Sequence, residues 1–287
     1  MKQTFLLFPL LISILCTFEN QANNCTKHVE IIAPLPFGEL LDKITILVIK
    51  REKINDTQKR VNIDKEYELL IKIYTEQLPH TTELHNLIEE LFDVNKVLWD
   101  LEDLTRAKEH NNDFDEEFKQ LVMSIIDHND KRFKIKRALN ILLSSPLVEE
   151  KSYENMLGTD ITPNESVKTS KKASIICIPI SLADLLDRIS ILEIKQANIT
   201  NPEKLTHVKH EYETLTTIYN NALESSDILD QPYLELLAAN KKMWDIQDCI
   251  RNKIHKNELD QEFTEIGRSV YYANDERVKV KKNINTL

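Results

Sequence analysis

The chain has 287 residues, 41% of them hydrophobic and 29% charged, and a formal net charge of -10. This is a soluble, globular balance with room for two ordinary domains, and the acidic excess argues against nucleic acid as a partner, because phosphate backbones are held by surplus lysine and arginine. Only Gly38, Gly158 and Gly267 are glycines, which excludes glycine-rich phosphate loops and dinucleotide fingerprints, disfavours sheets with tight turns and leaves all-α as the expected class.

The first element in chain order is an apolar run from Phe5 to Cys16, preceded by one lysine and followed by a polar stretch. It is shorter than the roughly 20 residues of a spanning helix and reads as a secretory signal peptide over residues 1–22. The expectation is a secreted or periplasmic protein with no transmembrane span in the mature chain. The alternative is an uncleaved N-terminus anchoring it to a membrane.

The next element carries the main signal. LLDKITILVIK, Leu40 to Lys50, returns as LLDRISILEIK, Leu185 to Lys195. The same offset of 145 residues relates Trp99 to Trp244, Asn129 to Asn274 and Asn140 to Asn285. From about Ile32 to Leu142 the copies align without a gap, which is the length of a duplicated domain and not of a short solenoid unit. The expected organisation is repeat 1 over 30–145, a polar, proline-bearing linker over 146–173 and repeat 2 over 174–287.

Each copy reads as a four-helix unit. The first helix opens after Pro36 in copy one and with the capping pair Ser181 and Asp184 in copy two. Asn201 followed by Pro202 marks the start of the second helix in copy two. The third runs from about Leu84 to His110 and the fourth from about Phe114 to Leu143. Between these two, NNDFDEE supplies acids suited to a helix start. Cys177 and Cys249 align with Ile32 and Leu104 and are expected to be core positions, so no disulfide framework is implied; Cys25 is left as an odd thiol.

Polar residues recur on helix faces that begin apolar. Asn95, Trp99, Asp103 and Arg106 follow one another at helical spacing on the third helix, as do Asn129, Arg132, Lys136 and Asn140 on the fourth, and copy two repeats both stripes. Hydrophobic flanks on each side of a polar stripe point it inward or into a groove. In an antiparallel hairpin Asn95 and Asn129 lie level, and with up-down topology Asp42 falls near Lys136 and Asn140, since a buried carboxylate needs such partners.

The candidate ligand-binding set is therefore Asp42, Lys43, Asn95, Trp99, Asp103, Asn129, Arg132 and Lys136, with Asp187, Arg188, Asn240, Trp244, Asp248, Asn274, Arg277 and Lys281 in copy two. The same residues also suit a satisfied network that fixes helix register. Tryptophan beside planar hydrogen-bonding groups suits a sugar ring or base, although a core tryptophan is the commoner use of the residue.

No catalytic residue, metal ligand or cofactor is assigned. Acid pairs at Glu39 with Asp42 and Asp100 with Asp103 are similar to the magnesium-binding pattern of all-α nucleotide pyrophosphohydrolases. In an up-down bundle, however, they stand well apart along the axis. A magnesium-dependent nucleotide phosphohydrolase is therefore the alternative to the leading expectation, a binding or scaffold module for a glycan, phosphorylated sugar, nucleotide-sugar or protein partner.

Three motifs, PFGELLDKITILVIK, NKVLWDLED and NDKRFKIKRALN, resemble a group of small, mostly bacterial helical proteins classed as a domain of unknown function. The resemblance covers both copies and implies single-copy relatives, some encoded among surface-polysaccharide genes; it implies no activity. Copy two departs from the pattern where Ala183 replaces Gly38 and Gln247 replaces Glu102.

Overall fold

A computed structural model describes residues 31–147, 149–151, 175–222 and 227–287. The apolar N-terminal run and Cys25 lie outside them. Copy one comprises β1 (Ile31–Leu35), α1 (Phe37–Lys53), α2 (Thr57–Gln77), α3 (Thr82–Asn111) and α4 (Glu116–Leu142). Copy two repeats the order as β2 (Ile176–Ile180), α5 (Leu182–Asn198), α6 (Pro202–Ala222), a short 3-10 turn, α7 (Asp230–Lys256) and α8 (Gln261–Ile284). The fold is two tandem all-α units, with one addition that the sequence reading omitted, the strand before each bundle. No helix among the described residues is long and apolar enough to cross a membrane.

Local chemistry sets the helix ends. Asp56, Thr81, Asp115, Ser181 and Asp260 each accept a hydrogen bond from a backbone N–H three residues on, and Asn201 accepts from Glu203 and Lys204, satisfying donors that a first turn leaves orphaned. At the hairpin between the third and fourth helices, Asn112 and Asn257, 145 residues apart, take left-handed φ values of 53° and 56°. Asparagine tolerates that conformation where glycine is absent. The acids after each turn are gathered by one lysine: Lys108 reaches Asp113, Asp115 and Glu117, and Lys253 reaches Asp260 and Glu262.

The strands pair across the copies. β1 and β2 are antiparallel with Ile31 opposite Ile180, Ala33 opposite Ile178 and Leu35 opposite Ile176. Ala33 and Ile178 are duplicates at the 145-residue offset, so a local two-fold axis passes between them. The pairing exchanges core residues as well. Ile176 and Ile178 pack with Leu40, Leu70 and Leu139 in the core of copy one, while Ile31 and Ala33 pack with Leu185, Leu215 and Leu236 in the core of copy two. Each bundle is completed by the other copy's strand.

The axis emerges again between α4 and α8. Phe118, Val122, Ile250 and Phe263 form a third core made by both copies. A Cβ on Gly267 would stand 3.1 Å from Val122 Cγ2, and Val122 is that glycine's own duplicate position. The missing side chain lets the two helices approach at the symmetry point.

Two expectations are corrected. Cys177 and Cys249 are exposed; their counterparts Ile32 and Leu104 are 45% and 56% exposed, so both positions face outward in each copy and are not core. The expected linker also begins packed: Leu147 and Glu150 are buried, with His207 Nδ1 2.8 Å from Glu150 Oε1 across the copies.

Candidate functional site

Asp42 and Thr45 of α1 and Asp187 and Ser190 of α5 are buried, and each copy solves the burial problem in the same way. Arg132 forks onto Asp42, with Nε 2.7 Å from Oδ1 and Nη2 2.5 Å from Oδ2. Asn95 donates to Asp42 Oδ1 and to Thr45 Oγ1, both at 2.9 Å, while Thr45 donates to the Asp42 carbonyl at 2.8 Å. In copy two Arg277 holds Asp187 at 2.9 and 2.5 Å, Asn240 donates to Asp187 at 3.0 Å and to Ser190 at 2.7 Å, and Ser190 donates to the Asp187 carbonyl at 2.9 Å. A bidentate, charge-assisted pair with further donors is what a carboxylate needs away from water. Burial pushes the Asp42 carboxyl up, but the Arg132 fork and the nearby charge of Lys136 outweigh it and hold the group below the usual carboxylate range. Asp187 is lowered in the same way, burial being opposed by Arg277 and Lys281.

One turn toward the strands, α1 descends along α4 and α5 along α8. Asn140 Oδ1 accepts from the Gly38 N–H at 2.7 Å, and Asn285 Oδ1 accepts from the Ala183 N–H at 3.0 Å, each capping the first turn of the opposing helix. A Cβ on Gly38 would meet the Lys136 carbonyl oxygen at 2.4 Å. That contact explains the glycine, and the longer bond in copy two goes with the alanine there.

Between the copies lies a cleft of about 430 Å³. Copy one supplies Glu39, Lys43, Lys136 and Asn140 to it, the segment after it supplies Glu149, and copy two supplies Asp184, Asp187, Arg188, Lys195, Glu211, Arg277 and Lys281. Its apolar floor includes Leu35 and Ile180 at the strand ends. Lys136 Nζ is 2.6 Å from Glu39 and 2.8 Å from Glu149. Lys281 Nζ is 2.8 Å from Asp184 and 3.2 Å from Asp187. Arg188 donates to Glu211 at 2.8 Å and to the Pro34 carbonyl of the other copy at 2.9 Å. Lys43 stands 3.5 Å from Glu66, at the exposed rim. Lys195 has no ion-pair partner among the described residues, although its charge reaches Glu149. In a chain of net charge -10, six cations thus line one cavity.

The structure divides the sequence-derived set into groups. Lys43, Lys136, Asp187, Arg188, Arg277 and Lys281 line the cleft. Asp42, Asn95, Arg132 and Asn240 belong to the buried networks. Asn129 and Asn274, together with Arg277, line a second cavity of about 210 Å³ between the copies; Asn129 also donates to the Ile125 carbonyl of its own helix, so it does not join Asn95. Trp99, Trp244, Asp103 and Asp248 line neither cavity. Asp103 is exposed and both tryptophans are half-buried, so among the described residues no aromatic side chain lines the cleft.

The acid pairs proposed for a metal do not converge. Asp42 is held by Arg132, whereas Asp100 pairs with Lys53 at 2.8 Å, eleven residues farther along α1 and so about 16 Å along its axis at 1.5 Å per residue. The sequence reading missed Lys195, Glu149, Asp184 and Glu211 as cleft residues. The 145-residue offset gives Asp184 from Glu39, whereas Lys195 and Glu211 repeat Lys50 and Glu66, which line neither cavity and carried no such signal.

The family of unknown function DUF6165 matches residues 29–170 and again 176–287. No curated protein and no solved structure matches the chain.

Proposed function

Since the chain belongs to that family twice over and the family's description carries no activity, the function has to come from the site, and we propose that the protein is a binding module whose inter-copy cleft takes a phosphorylated sugar. The observation that carries this is the cleft itself: lysines and arginines from both copies converge on it, and Lys195 there lacks an ion-pair partner among the described residues. Cations hold a phosphate, while carboxylates such as Glu39 and Asp184 can accept hydrogen bonds from sugar hydroxyls. The volume is within the range of small-ligand pockets. The apolar N-terminal run of the sequence supports a place outside the cytoplasm, and N-terminal sequencing of the mature protein should then begin between about residues 17 and 25.

The test is calorimetric titration of the full chain with hexose phosphates, on wild type and Lys195→Met. Among the described residues this lysine makes no ion pair, although its charge helps hold Glu149 low, so the melting temperature should fall only slightly while hexose 6-phosphate affinity falls at least tenfold. Equal binding in both proteins, or none in wild type, would overturn the reading.

A further inference from the structure

We infer that the cleft's ligand carries two separated anionic groups, one for each copy, so that its best occupant is a sugar bisphosphate and not a monophosphate. This rests on the anion-binding reading above and adds the stoichiometry of charge. The two-fold axis between Ala33 and Ile178 gives four of the six cleft cations a duplicate on the opposite side, Lys43 with Arg188 and Lys136 with Lys281, while the counterparts of Lys195 and Arg277 lie outside the cleft. The carboxylates holding those four are duplicated too, Glu66 with Glu211 and Glu39 with Asp184. Whatever an anionic head does against one pair, a second head can do against the other, and a ligand with a single head leaves one pair facing solvent.

The two seats differ in readiness. Arg188 is pinned by Glu211 and by the Pro34 carbonyl, and its planar fork suits two phosphate oxygens at once. Lys43 is looser, at 3.5 Å from its acid, and Lys136, the other copy-one cation of the cleft, is already shared by Glu39 and Glu149. Lys281 is likewise shared, by Asp184 and Asp187, so the seats differ in Arg188 against Lys43: the fork makes the copy-two seat the stronger, and the copy-one seat adds affinity only when a second head reaches it.

Titration of the full chain with hexose 6-phosphate and hexose 1,6-bisphosphate tests this. Wild type should bind the bisphosphate at least tenfold more tightly. Lys43→Met should reduce bisphosphate affinity to the monophosphate level while leaving the monophosphate unchanged, and Arg188→Met should weaken both, with circular dichroism melts confirming the fold. Equal affinities in wild type, or a Lys43→Met loss shared alike by both sugars, would overturn the two-headed ligand while leaving a single-headed one standing. Failure of either sugar to bind wild type would instead remove the cleft reading itself.

Discussion

The buried networks of the two copies and the cleft they enclose have diverged to different degrees. Aspartate, arginine and asparagine occupy the same three network positions in each bundle, with only Thr45 exchanged for Ser190, which preserves the hydroxyl. At the cleft, Lys43 faces Arg188, Glu39 faces Asp184, and Lys136 meets a carboxylate, Glu149, that comes from beyond the aligned repeat. A buried ion pair tolerates little change because one missing partner leaves an uncompensated charge. Groups bordering solvent can be retuned singly, so the inward residues maintain the bundle while the cleft is free to differ between the copies.

The largest expected effect probes the networks. Arg132→Met should destabilise the protein by about 3–5 kcal/mol, because Asp42 is left buried without its main counter-ion. Arg277→Met should cost less, since Lys281 remains 3.2 Å from Asp187. Chemical denaturation of both variants checks the order, and equal losses would show that Lys281 does not substitute. Both carboxyls are held low, so the stability they contribute is present above the unfolded aspartate value near 4 and is lost as pH falls through the lower folded values. The acid limb of a stability profile should accordingly shrink in Asp42→Asn relative to wild type.

Lys151 acts with the opposite sign. Burial brings its ammonium down to about 8, against favourable charges from Glu149 and Asp130. Between pH 8 and 10.5 the unfolded chain holds the proton that the folded one has released, so wild-type stability should rise across that window by about 2–3 kcal/mol relative to Lys151→Met. A difference between the two proteins that stays flat over this range would remove Lys151 as a titrating group.

Gly38→Ala should cost about 1–3 kcal/mol by forcing α1 off the Lys136 carbonyl, whereas Ala183→Gly should cost only about 0.5–1 kcal/mol of helix propensity. Denaturation midpoints of the two variants test the contrast. The smallest effect concerns the segment between the copies. Cleavage at a protease site inserted near residue 165 should leave the halves co-eluting, since the exchanged strands and the α4–α8 core hold them; separation into two species on size exclusion would contradict that reading.

Much of each bundle was legible because helices announce themselves locally. Helix periodicity and caps placed the ends of α3 and α4 within about two residues of their observed positions, and the offset gave copy two from copy one. Asp42's need for a partner was legible, but its partner was misplaced by one turn. Lys136 and Asn140 were expected, whereas the register sets Asn140 on Gly38 and Lys136 on Glu39, which leaves Arg132 for Asp42. The strands were missed because each is five residues long and contains a proline, Pro34 or Pro179, and because the pair is joined by no hairpin whose turn could signal it. The cleft was missed for a related reason. Its sides come from different copies, and no spacing within one copy reveals what the other presents.

The exchanged strands also govern the order of events during synthesis. Ile31 waits for Ile180, 149 positions later, and the core around Leu40 and Leu139 stays open until Ile176 and Ile178 have been made. Contacts this remote in sequence slow folding, because the intervening loop must close before they contribute. The first half of the chain should therefore leave the ribosome as helices around an unfilled slot, able to accept the corresponding strand of a neighbouring molecule. Refolding at high concentration should trap such interlocked pairs, and dilution should favour the self-closed monomer.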